Sequence, residues 1–529
     1  MAKTSTKPIT SWQNFHLTGT WPAKLLLETQ LEKRQIMPDP LERYRDAAQE
    51  IQRLLQESLD TGEGFRALGS KWSLSNIAHH EERMHINQKM NLKIPITARD
   101  LHPDSGYDRR NLFLLECGNV IKEISEYLFD LGKSLKTTGA SNGQTIGGAV
   151  STGVHGSAID VGSVQDCVVG LNLIIGPNPE DIVYVERSSK PALNDAFAEQ
   201  LNARVIRNDD LFNAALVGLG SFGFIHGVVI EAEDCFLLHR HVKSIDKNLA
   251  LQLADTMDFS ALAAIIPEEI DQIRPYHYKI YVNPYRDDPN YIVEAWYKKP
   301  FHPEYPDPIP LISEALYLDI IKCFNKLIRS HSRELIPRMI DILQDTAFPD
   351  PNESLIGPLK DLCWDAINQG RAFACSVGID HADTSRALAA LVELGRREGP
   401  VPGIFSMRFV KASAATLAFT KFPITCMMEI DGSGWDGSRK LISQERYYKR
   451  FIETLQAHDI PFTIHWGKNG AWDFPGLLEH MYGDQEPQKW KTYRSALLGP
   501  DMAKVFSNDF LRTIGLADYI GDLPPDLLT

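Results

Sequence analysis

Residues Thr137 to Ser157 read TTGASNGQTIGGAVSTGVHGS, a run with six glycines and no lysine, arginine, aspartate or glutamate. Such a stretch is a poor helix or strand over its whole length, because glycine inside an element costs roughly 0.5–1 kcal/mol relative to alanine. What it offers is backbone. Successive N–H groups can converge on an anion, hydroxyls supplement them, and glycine lets a ligand approach the main chain closely. A diphosphate is a suitable guest. A P-loop is excluded, because Gly147-Gly148-Ala149 is followed by Val150 where G-K-[ST] is required.

A second glycine cluster, GLGSFG (Gly218–Gly223), matches G-x-G-x-x-G literally. A dinucleotide fingerprint needs a strand before it and a helix after it. Here the helix-like DDLFNAALV comes first and the strand-like FGFIHGVVIEAE follows, so the cluster reads as a helix stop leading into a strand.

The 529-residue chain is 43% hydrophobic and 23% charged, as expected of an ordinary globular protein of two or three domains. Its net charge of −14 repels phosphate backbones, and it lacks a basic patch, so no nucleic-acid partner is expected. Seven dispersed cysteines without a C-x-x-C pair argue against a disulfide framework or a structural zinc site, and no metal is expected. With neither an apolar leader nor a spanning run, the expected location is cytoplasmic and a membrane role is not expected.

Along the chain, LERYRDAAQEIQRLLQESL sets Ala47, Ile51, Leu54 and Leu55 on one helical face. NLFLLECGN and VIKEISEYLFDLGKSL read as strand, turn and helix, while CVVGLNLIIG and IVYVE read as a hairpin. A first domain closes near Asp234. Beyond it, FLLHRHVKSI, YHYKIYV, YIVEAWY, AFACSVGID, IFSMRFV, TCMMEID and PFTIHWG read as strands, with TSRALAALVELG and QERYYKRFIETLQAH as helices between them. This pattern suits an α+β fold with an antiparallel sheet covered by helices on one face. A Pro-rich linker leads to a helix pair at 311–344, whose stripe Leu316, Ile320, Phe324, Leu327 and Ile328 is expected to face a core or a subunit rather than a membrane. Homo-oligomerisation is left open.

Five segments carry a resemblance: FRALGSKWSLSNIA (Phe65–Ala78), the glycine-rich stretch, LFNAALVGLGSFGFIHGVVIE, HWGK (His465–Lys468) and RSALLGPDMAKVFSNDFLRTIG. In this order they resemble the vanillyl-alcohol oxidase (p-cresol methylhydroxylase) type of FAD-binding oxidoreductases, nearest the aldonolactone and alditol oxidase branch. The resemblance implies a two-part FAD-binding domain from residues 1–235 and a C-terminal segment, 466–529, that returns to it. Between them stands a substrate or cap domain, 236–465, with a helical insertion near 305–345. It also implies FAD contacts at Gly69, Ser70, Lys71, Trp72 and Ser73 in the first loop. In the glycine-rich stretch they fall at Gly139, Ser141, Asn142, Gly147, Gly148, Thr152, Gly153, His155 and Gly156. Gly220, Gly223 and Ile225 follow at the adenine end, with His465 as a structural histidine of the site. His155 has two readings, a flavin contact and a hydrogen-bonded structural histidine. Many relatives carry at the position of Trp72 a histidine bonded covalently to the flavin. An indole is no such nucleophile, and no cysteine lies between Cys117 and Cys167, so FAD is expected to be noncovalent.

Oxidising an alcohol moves a hydride to flavin and the hydroxyl proton to a base, and the reduced flavin benefits from nearby positive charge. In SMRFV, Ser406 and Arg408 share one strand face; in MMEID, Glu429 and Asp431 do. The resemblance puts Arg408 and Lys468 on the cations of the substrate pocket. Alditol-oxidising relatives carry a carboxylate where this chain has Ser406, which weakens the case for a sugar alcohol. Glu429 stands open as proton acceptor or salt-bridge partner, and Asp431 as site carboxylate or start of the turn DGSG. The expected activity is oxidation of a CH–OH group of a small molecule, with oxygen or another electron acceptor. Oxidative cyclisation, amine oxidation and a degenerate flavin-binding protein are the alternatives.

Overall fold

The structure is a computed structural model describing residues 2–31, 39–306, 333–347, 350, 354–362, 371–437, 441–521, 523–524 and 527–528. Three sheets organise it. The first runs in the order Ala2–Pro8, Leu25–Leu31, Arg83–Ile86, Phe65–Leu68. The second has six strands: Arg204–Arg207, Ile182–Glu186, Val168–Ile174, Phe224–Glu231, Leu112–Glu116 and Lys93–Pro95. Its Val168–Ile174 and Ile182–Glu186 strands pair antiparallel as the expected hairpin. The helix Pro40–Thr61 begins where Asp39 accepts the Leu41 N–H and proline opens the first turn, and it ends at Gly62 with φ 68°. Its stripe of Ala47, Ile51, Leu54 and Leu55 is buried.

The chain leaves the second sheet at Glu231 and enters the third at Phe236. This sheet has eight strands in the order Ser354–Pro358, Phe236–Asp246, Asn290–Pro300, His277–Val282, Gly403–Lys411, Ile424–Ser433, Ala372–Asp380 and Phe462–Ile464. Every neighbouring pair is antiparallel. The helices Lys247–Thr256, Thr384–Glu398 and Gln444–Ala457 pack on one another, and the sheet meets them: Tyr278 OH donates to Ala250 O. Side chains alternate along a strand, so Tyr278 faces the helices while His277 and Lys279 face the other way.

The C-terminal helices return to the N-terminal half. Trp490 Nε1 donates to Val217 O, Arg494 Nε to Ser221 O, and Asn508 Nδ2 to the carbonyls of Ile77 and His79. Of the expected 311–344 helix pair, residues 311–332 lie outside the described residues. The second member appears as Ile336–Ala347. Among the described residues no helix is long and apolar enough to cross a membrane.

Candidate active site

The face of the eight-stranded sheet opposite its helices closes one side of a cavity of ≈ 560 Å³. The loop after Phe65–Leu68, the glycine-rich stretch and the segment around Gly220 close the other. A Cβ on Gly69 would come within 1.9 Å of Thr145 Oγ1, and one on Gly143 within 2.2 Å of the Trp72 indole. These two loops therefore meet without room for larger residues. Ser70 Oγ donates to Gly143 O at 2.5 Å, and Trp72 stacks on Phe15 with centroids 4.8 Å apart. Gly148 differs: it is exposed on the short helix Ile146–Thr152, lines the cavity, and a Cβ there would meet nothing nearer than Thr145 Oγ1 at 3.3 Å.

Sixteen of the residues the sequence nominated for the cofactor line this one cavity: Gly69, Ser70, Lys71, Trp72, Ser73, Gly139, Ser141, Gly147, Gly148, Thr152, His155, Gly156, Gly220, Gly223, Ile225 and His465. Asn142 and Gly153 do not. The Asn142 carbonyl accepts from Lys122, and Gly153 ends the helix with φ 71°. Gln144 Oε1 and Thr145 Oγ1, of two residues on the cavity lining, are buried and without hydrogen-bond partners. An amide in either orientation and a hydroxyl supply donors as well as acceptors, so this wall suits a ligand that is polar along its length, as a dinucleotide is.

The cluster from the sheet stands at the same cavity. Register places Ser406 opposite Glu429, with Arg408 two residues along the same strand. Arg408 Nε donates to Glu429 Oε2 at 3.0 Å and Nη2 reaches the same oxygen, while Nη1 is buried without a partner. Lys468 Nζ lies 3.6 Å from Glu429 Oε1 and 3.8 Å from Asp431 Oδ1. Burial opposes ionisation of Glu429, but Arg408 and Lys468 outweigh it and hold the carboxyl well below its usual range. Asp431 is shifted the other way, by burial and then by the neighbouring Glu429 charge against the pull of Lys468. The rings of His155 and His465 lie 5.3 Å apart. Burial, then Arg408, keeps His155 neutral; burial, then Lys468, brings His465 down to about 3.

Sequence reasoning passed over a second polar group on this wall. Glu294 Oε1 accepts from Tyr281 OH at 2.6 Å and Arg240 Nη2 at 3.1 Å, and Glu294 Oε2 from Trp296 Nε1 at 2.9 Å. Lys279 Nζ donates to Tyr281 OH at 2.6 Å. The available signal was polar residues at period two inside apolar strands, as at His277, Lys279 and Tyr281. His16 was also missed. It reaches the cavity from the tip of the N-terminal hairpin, and burial followed by Lys468 lowers it to about 4.

No family model matches the chain. L-gulonolactone oxidase 3 of Arabidopsis thaliana is 32% identical over 123 residues, 23% of this chain and 19% of that protein. A D-arabinono-1,4-lactone oxidase of Yarrowia lipolytica is 23% identical over 230 residues, 44% of this chain and 37% of that protein. The chain thus spans less than half the length of these curated relatives. Among solved structures, a cholesterol oxidase of B. sterolicum superposes with a TM-score of 0.68 at 13% identity, covering 97% of both chains. The glucooligosaccharide oxidase of Acremonium strictum, with 6-S-cysteinyl, 8α-N1-histidyl FAD, gives 0.58 at 13% over 94% and 93%. A VAO-type flavoprotein of Myceliophthora thermophila C1 gives 0.57 at 12% over 91% and 78%. In fold the chain is similar to these oxidases and to the VAO-type flavoprotein, and over part of its length its sequence is similar to aldonolactone oxidases.

Proposed function

We propose that the protein is an FAD-dependent oxidoreductase that converts a CH–OH group of a small molecule to the carbonyl, with oxygen or another acceptor taking the electrons onward. The observation that carries this reading is that the glycine-rich wall and the Arg408–Glu429–Lys468–Asp431 cluster share one cavity. Bound FAD would supply the two-electron acceptor for the alcohol's C–H hydrogen. Gly69 to Ser73 and the stretch from Gly139 to Gly156 would hold it, with Gly220, Gly223 and Ile225 toward its far end. In this reading residues 1–235 and 466–529 carry the cofactor and 236–465 the substrate.

The side chains divide the remaining work. Glu429 fixes the Arg408 guanidinium, whose unpartnered Nη1 is left to donate to an oxygen in the cavity. Arg408 and Lys468 are then preorganised positive charge for anionic character developing there. Glu429, held strongly ionised, is a weak base. Asp431, a carboxylate on the cavity lining 3.8 Å from Lys468 Nζ, takes the hydroxyl proton. The relatives named for L-gulonolactone and D-arabinono-1,4-lactone support a small polyhydroxylated substrate, and Ser406 leaves the pocket without the carboxylate of the alditol-oxidising pattern. Trp72 leaves FAD without the attachment residue of that pattern, so it is held by noncovalent contacts.

The test is an anaerobic screen of lactones, sugars and apolar secondary alcohols, following the flavin absorbance and then admitting air. Bleaching by a hydroxyl compound, with its carbonyl as product, is the expected result. A flavin that only amines or thiols reduce would overturn the reading.

A further inference from the structure

On the strand Phe236–Asp246, Arg240 turns toward the cavity, so His239 and His241 project from the opposite, helix-bearing face. There they meet Glu269, the last residue of the turn Pro267–Glu269. His239 Nδ1 lies 2.8 Å from Glu269 Oε1, and His241 Nε2 lies 3.1 Å from the same oxygen. The two imidazole centroids are only 3.9 Å apart. Their other nitrogens face away from this point: His239 Nε2 is 2.8 Å from Ser354 Oγ, and His241 Nδ1 is 3.3 Å from Glu268 Oε1. Lys299 Nζ pairs with the second oxygen of Glu269.

A neutral imidazole has one N–H and one lone pair. The nitrogen of each ring that faces Glu269 Oε1 is at hydrogen-bond distance from it; with the ring protons moved to the remote nitrogens, both lone pairs converge beside that oxygen, and a cation there takes the place of the two N–H donors. The three donor atoms lie within 4.8 Å of one another, and two carboxylates against one ammonium leave the cluster negative. Two imidazole nitrogens and a carboxylate oxygen make a ligand set for a divalent transition ion, and acceptors at the remote nitrogens are what orient ligating histidines.

We propose that His239, His241 and Glu269 bind one zinc-type divalent ion, with Ser354 as outer hydrogen-bond partner of His239 and the Glu268 carboxylate, 3.3 Å from His241 Nδ1, as the nearby charge behind His241. The ion joins the Phe236–Asp246 strand to the turn at 267–269. It lies across the sheet from the cavity, so its role is structural, and the proposal does not depend on the flavin reading. His239 is 25% exposed, which leaves a side open for a water as fourth ligand. The sequence expectation of no metal rested on cysteine spacing. The H-x-H pattern of a strand, which puts both rings on one face, escaped it.

The test uses the untagged full chain after chelator treatment, titrated calorimetrically with Zn²⁺ alone and, separately, with Co²⁺ while the visible absorption is followed. One equivalent of Zn²⁺, a higher melting temperature and cobalt ligand-field bands are expected. His239→Ala should abolish all three while keeping the far-ultraviolet circular dichroism of the parent, and Glu268→Gln should weaken binding about tenfold or more. No uptake by the folded parent would overturn the proposal, as would unchanged uptake in both variants. Should His239→Ala misfold, the surface change Glu268→Gln decides alone.

Discussion

At the scale of single residues, the cavity wall separates two cations by their anchors. Arg408 is clamped by Glu429, while Lys468 stands beyond 3.5 Å from both of its carboxylates. Lys468→Met should therefore leave the fold and FAD binding intact while slowing anaerobic flavin reduction. Losing one preorganised charge is expected to cost about 2.7–4 kcal/mol, a hundredfold or more in rate. Arg408→Ala should slow reduction similarly and also destabilise the protein, because it strands the buried Glu429 charge. Stopped-flow reduction of both variants checks this, and parental rates in both would remove these residues from the chemistry. That Arg408 and Lys468 come to one cavity was legible in the sequence because short motifs carried them. The state of Glu429 was not, because whether a carboxylate is a base or an anchor depends on the distance to its cation.

At the scale of elements, the strands and helices of the second half were readable because their apolar periods were clean. The chain around IFSMRFV becomes Gly403–Lys411 and that around TCMMEID becomes Ile424–Ser433. The N-terminal sheet was not readable. Ala2–Pro8 is largely exposed, lacks a two-residue apolar alternation, and is fixed by pairing with Leu25–Leu31. That pairing carries the hairpin tip that sets Phe15 and His16 against Trp72. Glu294 shows a second limit. It ties Arg240 and Tyr281 from neighbouring strands to its own, contacts that only strand register reveals. Glu294→Leu should leave Arg240 and Lys279 inside the wall without their shared counter-charge. Denaturant unfolding should register a loss of about 3–5 kcal/mol. An unchanged midpoint would show that this network contributes nothing to the fold.

At the scale of the molecule, buried neutral histidines set the response to acid. His85, His277 and His465 are each lowered to about 3, in every case chiefly by burial. Below the unfolded value of 6.5 the unfolded chain takes up protons that the folded chain refuses, so stability falls as the pH drops from 6.5 toward 3. Each histidine contributes at most about 1.4 kcal/mol per pH unit in that window. Denaturant midpoints between pH 7 and 5 should decline accordingly, and His277→Gln should flatten the decline. A flat profile in the parent would contradict the burial of these rings as neutral groups.

The central claim is that the glycine-rich wall cradles FAD without a covalent bond. The most direct measurement is the FAD released into the supernatant on acid precipitation, per chain, from the parent and from Gly148→Val. That substitution adds a branched side chain to the cavity with only Thr145 Oγ1 near its Cβ, so it should fold. The expected result is about one FAD per chain in the parent's supernatant, a colourless pellet, and almost none from the variant. A parent that takes up no FAD, a yellow pellet whose mass is raised by that of FAD, or a fully loaded Gly148→Val protein would contradict the claim.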